Sequence, residues 1–381
     1  MLLSEEVLAL RDECTRIRRE LHRIPETGFN LSETQAAVLR ELVPSKPDEL
    51  IKLAETGVKA VYYTEGATKT IAFRADMDAL EENEANDVPY RSVYEDRMHG
   101  CGHDGHMTIV LLLARLIAAH RKDLRCNVVL LFQPGEEGCA GAKRMIAEGA
   151  LQSPNVDCIY GMHLWPTVPK GKIGVRWGYL MAQSSDFAIT VRGRSAHASS
   201  PQMGIDAIVV AAELITMLQS VITRDVDPHQ DALLTLGKIE GGTAHNIIAD
   251  KVVISGTLRV FHSDLYHTLS SKIASVMEGM TLATDATFEM ERKAHYPCVE
   301  NPRELVEQLY TRLDSMDDVL LVEPVMAAED FAEYQQVVPG LFMFLGVGGG
   351  RGGAPLHSPD FDFDEDALLT GAELYRRILE I

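Results

Sequence analysis

Hydrophobic and polar positions along this chain follow two different rhythms. Between residues 50 and 150, short apolar runs and amphipathic stretches take turns. IKLAETGVKAVYYTEG and KTIAFRADMDAL read as strands, 108–120 as a helix, CNVVLLFQP as a buried strand, and 142–148 as the start of a further helix. Alternation of this kind predicts an α/β domain built on a central, largely parallel sheet. Residues 1–42 read as helix, interrupted at Pro25.

A second rhythm sets in near residue 178. SDFAITVRG is a strand, 204–223 a long helix, ALLTLGKIEGG and DKVVISGTLRVF strands, 263–283 a second helix, and TFEMERKA a last strand. The order β-α-β-β-α-β is the split arrangement of a ferredoxin-like sandwich. Residues 302–316 then read as helix, and 319–323 and 341–346 as strands in the first style. The expectation is a main domain made from residues 1–179 and 293–381, interrupted by an inserted domain at 180–292. No internal repeat stands out. GVGGGRGGAP, 346–355, has the glycines of a phosphate loop but lacks the Lys-Ser/Thr and the following helix, so it reads as a mobile loop.

With 381 residues, two domains agree with the size at which single cores stop growing. Hydrophobic residues at 46% and charged residues at 24% describe an ordinary folded chain. The longest apolar candidate, 109–119, is too short for a bilayer, and the charged N-terminal helix does not resemble a signal peptide. These features predict a cytoplasmic protein with no membrane partner. A net charge of −20 disfavours nucleic acid, which needs basic surface. The six cysteines show no disulfide or zinc-ribbon spacing, so most of them, Cys101 apart, are expected to be small buried apolar residues.

Four segments carry candidate chemistry. MHGCGHDGHM, 98–107, crowds Cys101, His103, Asp104 and His106 into a glycine-spaced turn before an apolar helix. In LLFQPGEEGCAGA a buried strand delivers Glu136 and Glu137 at its carboxyl edge, where open α/β sheets place ligands. Adjacent acids on a turn can point apart, one toward a metal and one toward a proton in transit. YGMHLWP, 160–166, ends an apolar strand on His163, and APLHSPDFDF, 354–363, places His357 after the glycine stretch. Each histidine alone could be structural. Together these residues can supply two divalent ions and leave room for water. FRADMDAL, 73–80, adds Asp76 and Asp78 as acids behind the ligands.

Taken in order, RADMDAL, MHGCGHDGH, FQPGEEG, GMHLWP, GRSAHASSP, GGTAHNIIAD, GTLR, AEDF and LHSP resemble the N-acyl-amino acid amidohydrolases of the zinc-aminoacylase and carboxypeptidase superfamily. The branch they resemble contains hippurate hydrolases, auxin-conjugate hydrolases and N-acetyl-diaminopimelate deacetylases. The likeness runs from LHRIPETGF at 21–29 to LHSPDFDFDEDAL at 356–368.

The resemblance implies a di-metal exopeptidase-like catalytic domain with an inserted dimerisation and lid domain. It makes Cys101, His103, Glu137, His163 and His357 the ligands of two divalent ions, zinc or manganese, with cobalt or nickel possible alternatives. Cys101 would bridge, His103 and His163 would complete one site, and Glu137 and His357 the other. Glu136 becomes the general base, passing a proton from water to the leaving amine, and Asp78 an orienting acid. His197 would donate to the oxyanion from the partner subunit of a homodimer. Asn246 and Arg259 would bind the substrate's α-carboxylate. His99, His106 and His245 are read as packing or hydrogen-bonding residues.

Some positions depart from the branch. Glu81 stands where proline is usual, Gly100 and Gly135 where alanine is commoner, and alanine precedes Glu-Asp in AAEDF. None removes a ligand or the base. The function implied is hydrolysis of an N-acyl-L-amino acid to a carboxylate and a free amino acid. A dipeptidase or carboxypeptidase on the same centre, or a metal-binding protein without turnover, are the alternatives; Glu136 argues against the last.

Overall fold

The computed structural model describes residues 1–349 and 353–381, so the middle of the glycine stretch, 350–352, lies outside the described residues. The chain forms two compact units. One comprises Met1–Leu180, Glu300–Glu323 and Asp330–Ile381, the other Met181–Val299 and Pro324–Glu329. The second unit reaches past residue 292 because its last strand, Thr287–Tyr296, is longer than TFEMERKA.

The first unit is built on an eight-stranded sheet. Its strands include β1 (Glu49–Leu53), β2 (Gly57–Tyr62), β3 (Thr70–Asp76), β4 (Asn127–Gln133), β5 (Cys158–Pro169) and β6 (Ile173–Val175). The order is β1-β2-β4-β3-β5, then Gly340–Gly348, β6 and Val319–Leu321. The central four, β4, β3, β5 and Gly340–Gly348, run parallel. NVVLLFQ in β4 is almost continuously buried, which is why its sequence is unbroken apolar rather than alternating. IKLAETGVKAVYYTEG is a hairpin and not one strand: Ala54 and Glu55 take positive φ and turn β1 back onto β2.

Helices α1 (Glu5–Ala9), α2 (Arg11–His22) and α3 (Ser32–Leu42) occupy the amino-terminal segment, with Pro25 in the break between the last two. Helix α4 (His103–Ala119) is buried at every residue from His103 to Ala114, as its apolar circumference requires. It starts earlier than the hydrophobic pattern indicates. Gly102, at φ 84°, turns the chain directly into it, so His103 and His106 belong to its first turn. The helix expected at 302–316 is shorter, Arg303–Tyr310.

In the second unit four antiparallel strands lie in the order Ala232–Gly241, Lys251–Val260, Gln183–Arg192, Thr287–Tyr296. Numbered along the chain this is 2-3-1-4, the ferredoxin-like order. Helices Ala207–Asp225 and Ser263–Thr284 share a core with the sheet through Val210, Leu214, Leu218, Leu269 and Ile273. Contrary to the expectation that no stretch is long and apolar enough to cross a membrane, Ala207–Asp225 is so by length and composition. In the fold its apolar stripe is used against the sheet, and Asp206 caps its first turn.

Candidate metal centre

The centre forms where two parallel strands part. β3 pairs with β5 only from Ile71/Cys158 to Arg74/Gly161. Beyond that point Asp76 and Asp78 follow one strand, His163 the other, and the first turn of α4 lies against both through His106 and His103. Open α/β sheets hold ligands at such carboxyl ends. β4 ends at Gln133 and the chain turns through Gly135, at φ 70°, into Glu136 and Glu137. Glu137 leaves helical geometry at ψ 77° and Gly138 follows at φ 79°, so the two acids do not continue as a helix. His357 takes φ 59°, unusual for a side chain with a Cβ, and its N–H is tied to Gly100 O at 2.9 Å.

Two groups of side chains share Cys101. His163 Nε2 lies 3.4 Å and His357 Nε2 3.3 Å from its Sγ. Cys101, His103 and His163 converge on one point, and Cys101, Glu137 and His357 on another, with ligand atoms in each group within 4.8 Å of one another. His357 Nε2 is 3.4 Å from Glu137 Oε1. The structure therefore brings all five expected ligand residues together. Glu136, 7% exposed, joins His103 and Glu137 in a further convergence.

Hydrogen bonds set the imidazole tautomers. His103 Nδ1–H donates to Asp78 O at 2.7 Å, and His163 Nδ1–H to Leu164 O at 2.7 Å. Each ring thus commits Nδ1 to a carbonyl and leaves Nε2 as the nitrogen that faces inward. Asp78 holds the glutamate turn, with Oδ1 and Oδ2 each accepting at 3.0 Å from Glu136 N and Glu137 N. Burial pushes the Asp78 carboxyl up to about 6, against the opposing charge of His103. Burial, then the charges of Glu137, Glu136 and Asp76, pushes the Cys101 thiol well above its usual range. Burial would lower His103, but Asp76, Asp78 and Glu137 outweigh it and hold that pKa up.

These features fit divalent ions. His103 Nε2 is a buried polar atom with no hydrogen-bond partner among the described residues, a state that costs free energy unless something binds it. Thiolate, carboxylate and imidazole surround a region whose carboxylates favour positive charge, and a cation would reverse the pressure that keeps Cys101 protonated.

The remaining expected residues lie in the second unit. His197 pairs with Ile247 in a two-residue ladder beside Asn246, and both His197 and Asn246 are exposed. Ser199 N and Oγ contact His197 Nδ1 at 3.1 and 2.7 Å. The backbone N–H can only donate, so the neutral ring carries its proton on Nε2, outward and available. Arg259 is half-buried, donates from Nη1 to Met326 O at 2.7 Å, and keeps a buried Nε without a hydrogen bond among the described residues.

Sequence reasoning passed over the polar layer beneath the ligands. Asp330 of AEDF accepts from Arg74 Nη2 at 2.7 Å, Gln133 Nε2 at 2.8 Å and Ala142 N at 2.8 Å. Arg74 reaches Asp76 Oδ2 at 2.8 Å. Arg74 and Asp76, two apart on one face of an otherwise apolar strand, were the available signal. Of the cysteines other than Cys101, Cys14, Cys126 and Cys298 are buried as expected, Cys158 is partly buried and Cys139 is exposed.

The sequence profile of peptidase family M20/M25/M40 matches residues 72–381. The chain is 35% identical to IAA-amino acid hydrolase ILR1-like 4 of Arabidopsis thaliana, over 94% of this chain and 83% of that one. It is 34% identical to the N-acetyldiaminopimelate deacetylase of Anoxybacillus flavithermus, over 95% of each. The solved structure of Bacillus subtilis YXEP, described as a dinuclear metal binding peptidase from the M20 family, superposes with a TM-score of 0.84 at 30% identity, covering 98% of both chains. The chain belongs to peptidase family M20/M25/M40, as a metal-binding enzyme that acts on amide bonds.

Proposed function

We propose that this enzyme hydrolyses N-acyl-L-amino acids to a carboxylic acid and a free amino acid, using two divalent ions per chain. The observation that carries the reading is the sharing of Cys101 by two ligand groups with Glu136 beside them. The names of the Arabidopsis and Anoxybacillus relatives both describe an acyl group on an amino acid, which supports the substrate class.

In this reading Cys101, His103, Glu137, His163 and His357 hold the ions. Bound there, such ions supply Lewis acidity toward the acyl oxygen and make water a stronger acid. Glu136 takes the proton from the attacking water and returns it to the leaving nitrogen. Asp78 aims both glutamates through their backbone N–H groups. The outward Nε2–H of His197 suits donation to developing negative charge, and the forked donors of Arg259, with Asn246, suit the α-carboxylate. Zinc is the favoured ion because thiolate and imidazole are comparatively soft ligands, and manganese, cobalt or nickel are tolerated alternatives.

A homodimer through the second unit, with His197 acting on the partner's metals, completes the reading. The exposed Ile208, Val209 and Ile239 on that unit offer apolar surface to a second copy. All six cysteines are free, in keeping with a reducing, cytoplasmic setting.

The test is turnover by purified protein loaded with zinc or manganese, on N-acetyl and N-benzoyl amino acids and on dipeptides. Turnover of the acylated substrates well above that of dipeptides is expected. The reverse preference would make the enzyme a dipeptidase.

A further inference from the structure

His106 makes two hydrogen bonds that leave it no ligand atom. Its Nε2 accepts the backbone N–H of Leu164 at 2.9 Å, and its Nδ1 lies 2.6 Å from Asp76 Oδ1. A backbone amide can only donate, so Nε2 is the unprotonated nitrogen. In the neutral ring Nδ1 then carries the proton and gives it to Asp76. Although Asp76, His103 and His106 could be drawn as a third ligand group, both His106 nitrogens are already engaged.

The position of this ring is informative. Beyond Gly161, β5 has lost β3 as a ladder partner. Leu164 still faces Leu345 of Gly340–Gly348 on its other edge, but on the β3 side its amide bonds a side chain instead of a strand. The same residue's carbonyl accepts Nδ1–H of His163. Leu164 is therefore held at its N–H by His106 while its C=O orients His163, whose Nε2 faces Cys101. The His106 and His163 rings sit 4.5 Å apart, edge to face, and both are buried. Arg74 bridges Asp76 and Asp330, which fixes the far end of the chain of contacts.

We propose that His106 is a positioning residue for His163: standing in for the departed strand, it anchors the Leu164 amide so that His163 presents Nε2 to the metal shared with Cys101 and His103. This rests on reading that group as a metal site. Partners of this kind behind a ligand are worth about 10–100-fold in metal affinity.

Two variants divide the contacts. His106→Gln can place an amide oxygen where Nε2 was and keep an acceptor for Leu164, while giving up the Asp76 bond. His106→Asn keeps a donor toward Asp76 and loses the acceptor. Cobalt(II) is titrated into each metal-free protein against a competing chelator, following thiolate-to-cobalt absorption, with the Tm of the metal-free protein measured alongside. The expected result is near wild-type affinity for His106→Gln and a fall of about 10–100-fold for His106→Asn, with similar Tm values. Wild-type cobalt binding by His106→Asn, or equal losses in both, would overturn the proposal. Absence of any cobalt–thiolate band in the wild type would instead remove the metal reading itself. A measurement on wild type needs no folded variant: nitrogen-15 histidine spectra should show His106 as the Nδ1–H tautomer, and an Nε2–H tautomer would refute the assignment.

Discussion

Asp78 Oδ1 accepts the backbone N–H of Glu136 at 3.0 Å, while its other oxygen accepts that of Glu137, also at 3.0 Å. One buried carboxylate thus sets the direction of two consecutive acids. Asp78→Asn leaves one acceptor and turns an NH2 toward the second amide. kcat should fall by about 10–100-fold, the usual worth of a partner behind the reacting groups, with metal content retained. Unchanged kcat would show that the glutamate turn holds itself.

The two glutamates should respond differently to loss of charge. Glu136→Gln is expected to lower kcat by about 10²–10⁴-fold while the protein still binds two ions. Glu137→Gln should lose metal, because its carboxylate converges with Cys101 and His357. Elemental analysis beside turnover separates the two, and swapped behaviour would reverse the assignment.

Arg259 should matter to substrates with a free α-carboxylate. Arg259→Ala is expected to raise KM for N-acyl amino acids far more than for the matching amides. Equal effects would assign the guanidinium to its structural bond to Met326 O.

His197 can be tested by complementation. Glu136→Gln and His197→Ala proteins are each expected to be nearly inactive alone. In the proposed dimer, each mixed dimer formed by subunit exchange contains one site with both native residues, so activity should return toward half of wild type per mixed dimer. Proven exchange without recovery would place the His197 function within its own chain or nowhere in the reaction.

A pH dependence of stability follows from the buried cluster behind α4. His22 is bonded to Asp104 Oδ2 at 2.7 Å and Glu84 Oε1 at 3.2 Å, with Arg18, Tyr90 and His99 beside it. Burial and the Arg18 charge oppose protonation, yet the two carboxylates prevail and hold the pKa above 6.5. A folded pKa raised above the unfolded one means the contribution is complete below about 6.5 and is lost as pH rises through the folded value. The Tm of metal-free protein should therefore decline on the alkaline side of 6.5, and His22→Gln should flatten that decline. An identical slope in the variant would mean His22 is neutral in the fold.

Much of this architecture was readable because burial leaves a periodic trace. The unbroken VVLLF of β4 belongs to a strand covered on both faces, and the strand-helix rhythm after residue 178 belongs to the ferredoxin-like sheet. Glycine-spaced polar segments at strand ends marked Cys101, His103, Glu136, Glu137, His163 and His357 as candidates, and the fold gathers these residues. Periodicity failed where backbone conformation, and not side-chain polarity, decided the outcome. The hairpin at Ala54 and Glu55 and the early start of α4 after Gly102 both depend on positive φ.

The sequence by itself determined the order of strands and helices in the two units and the inventory of chemistry-bearing residues, since both depend on residue type and local spacing. Tertiary structure alone decided how those residues are aimed. Arg74 meets Asp330 across 256 positions, Asp78 reaches the glutamate turn across 58, and His106 finds Leu164 N at the edge that β3 has left. Such bonds join single polar atoms from distant segments, whose pairing follows from the close packing of the apolar elements and has no period along the chain.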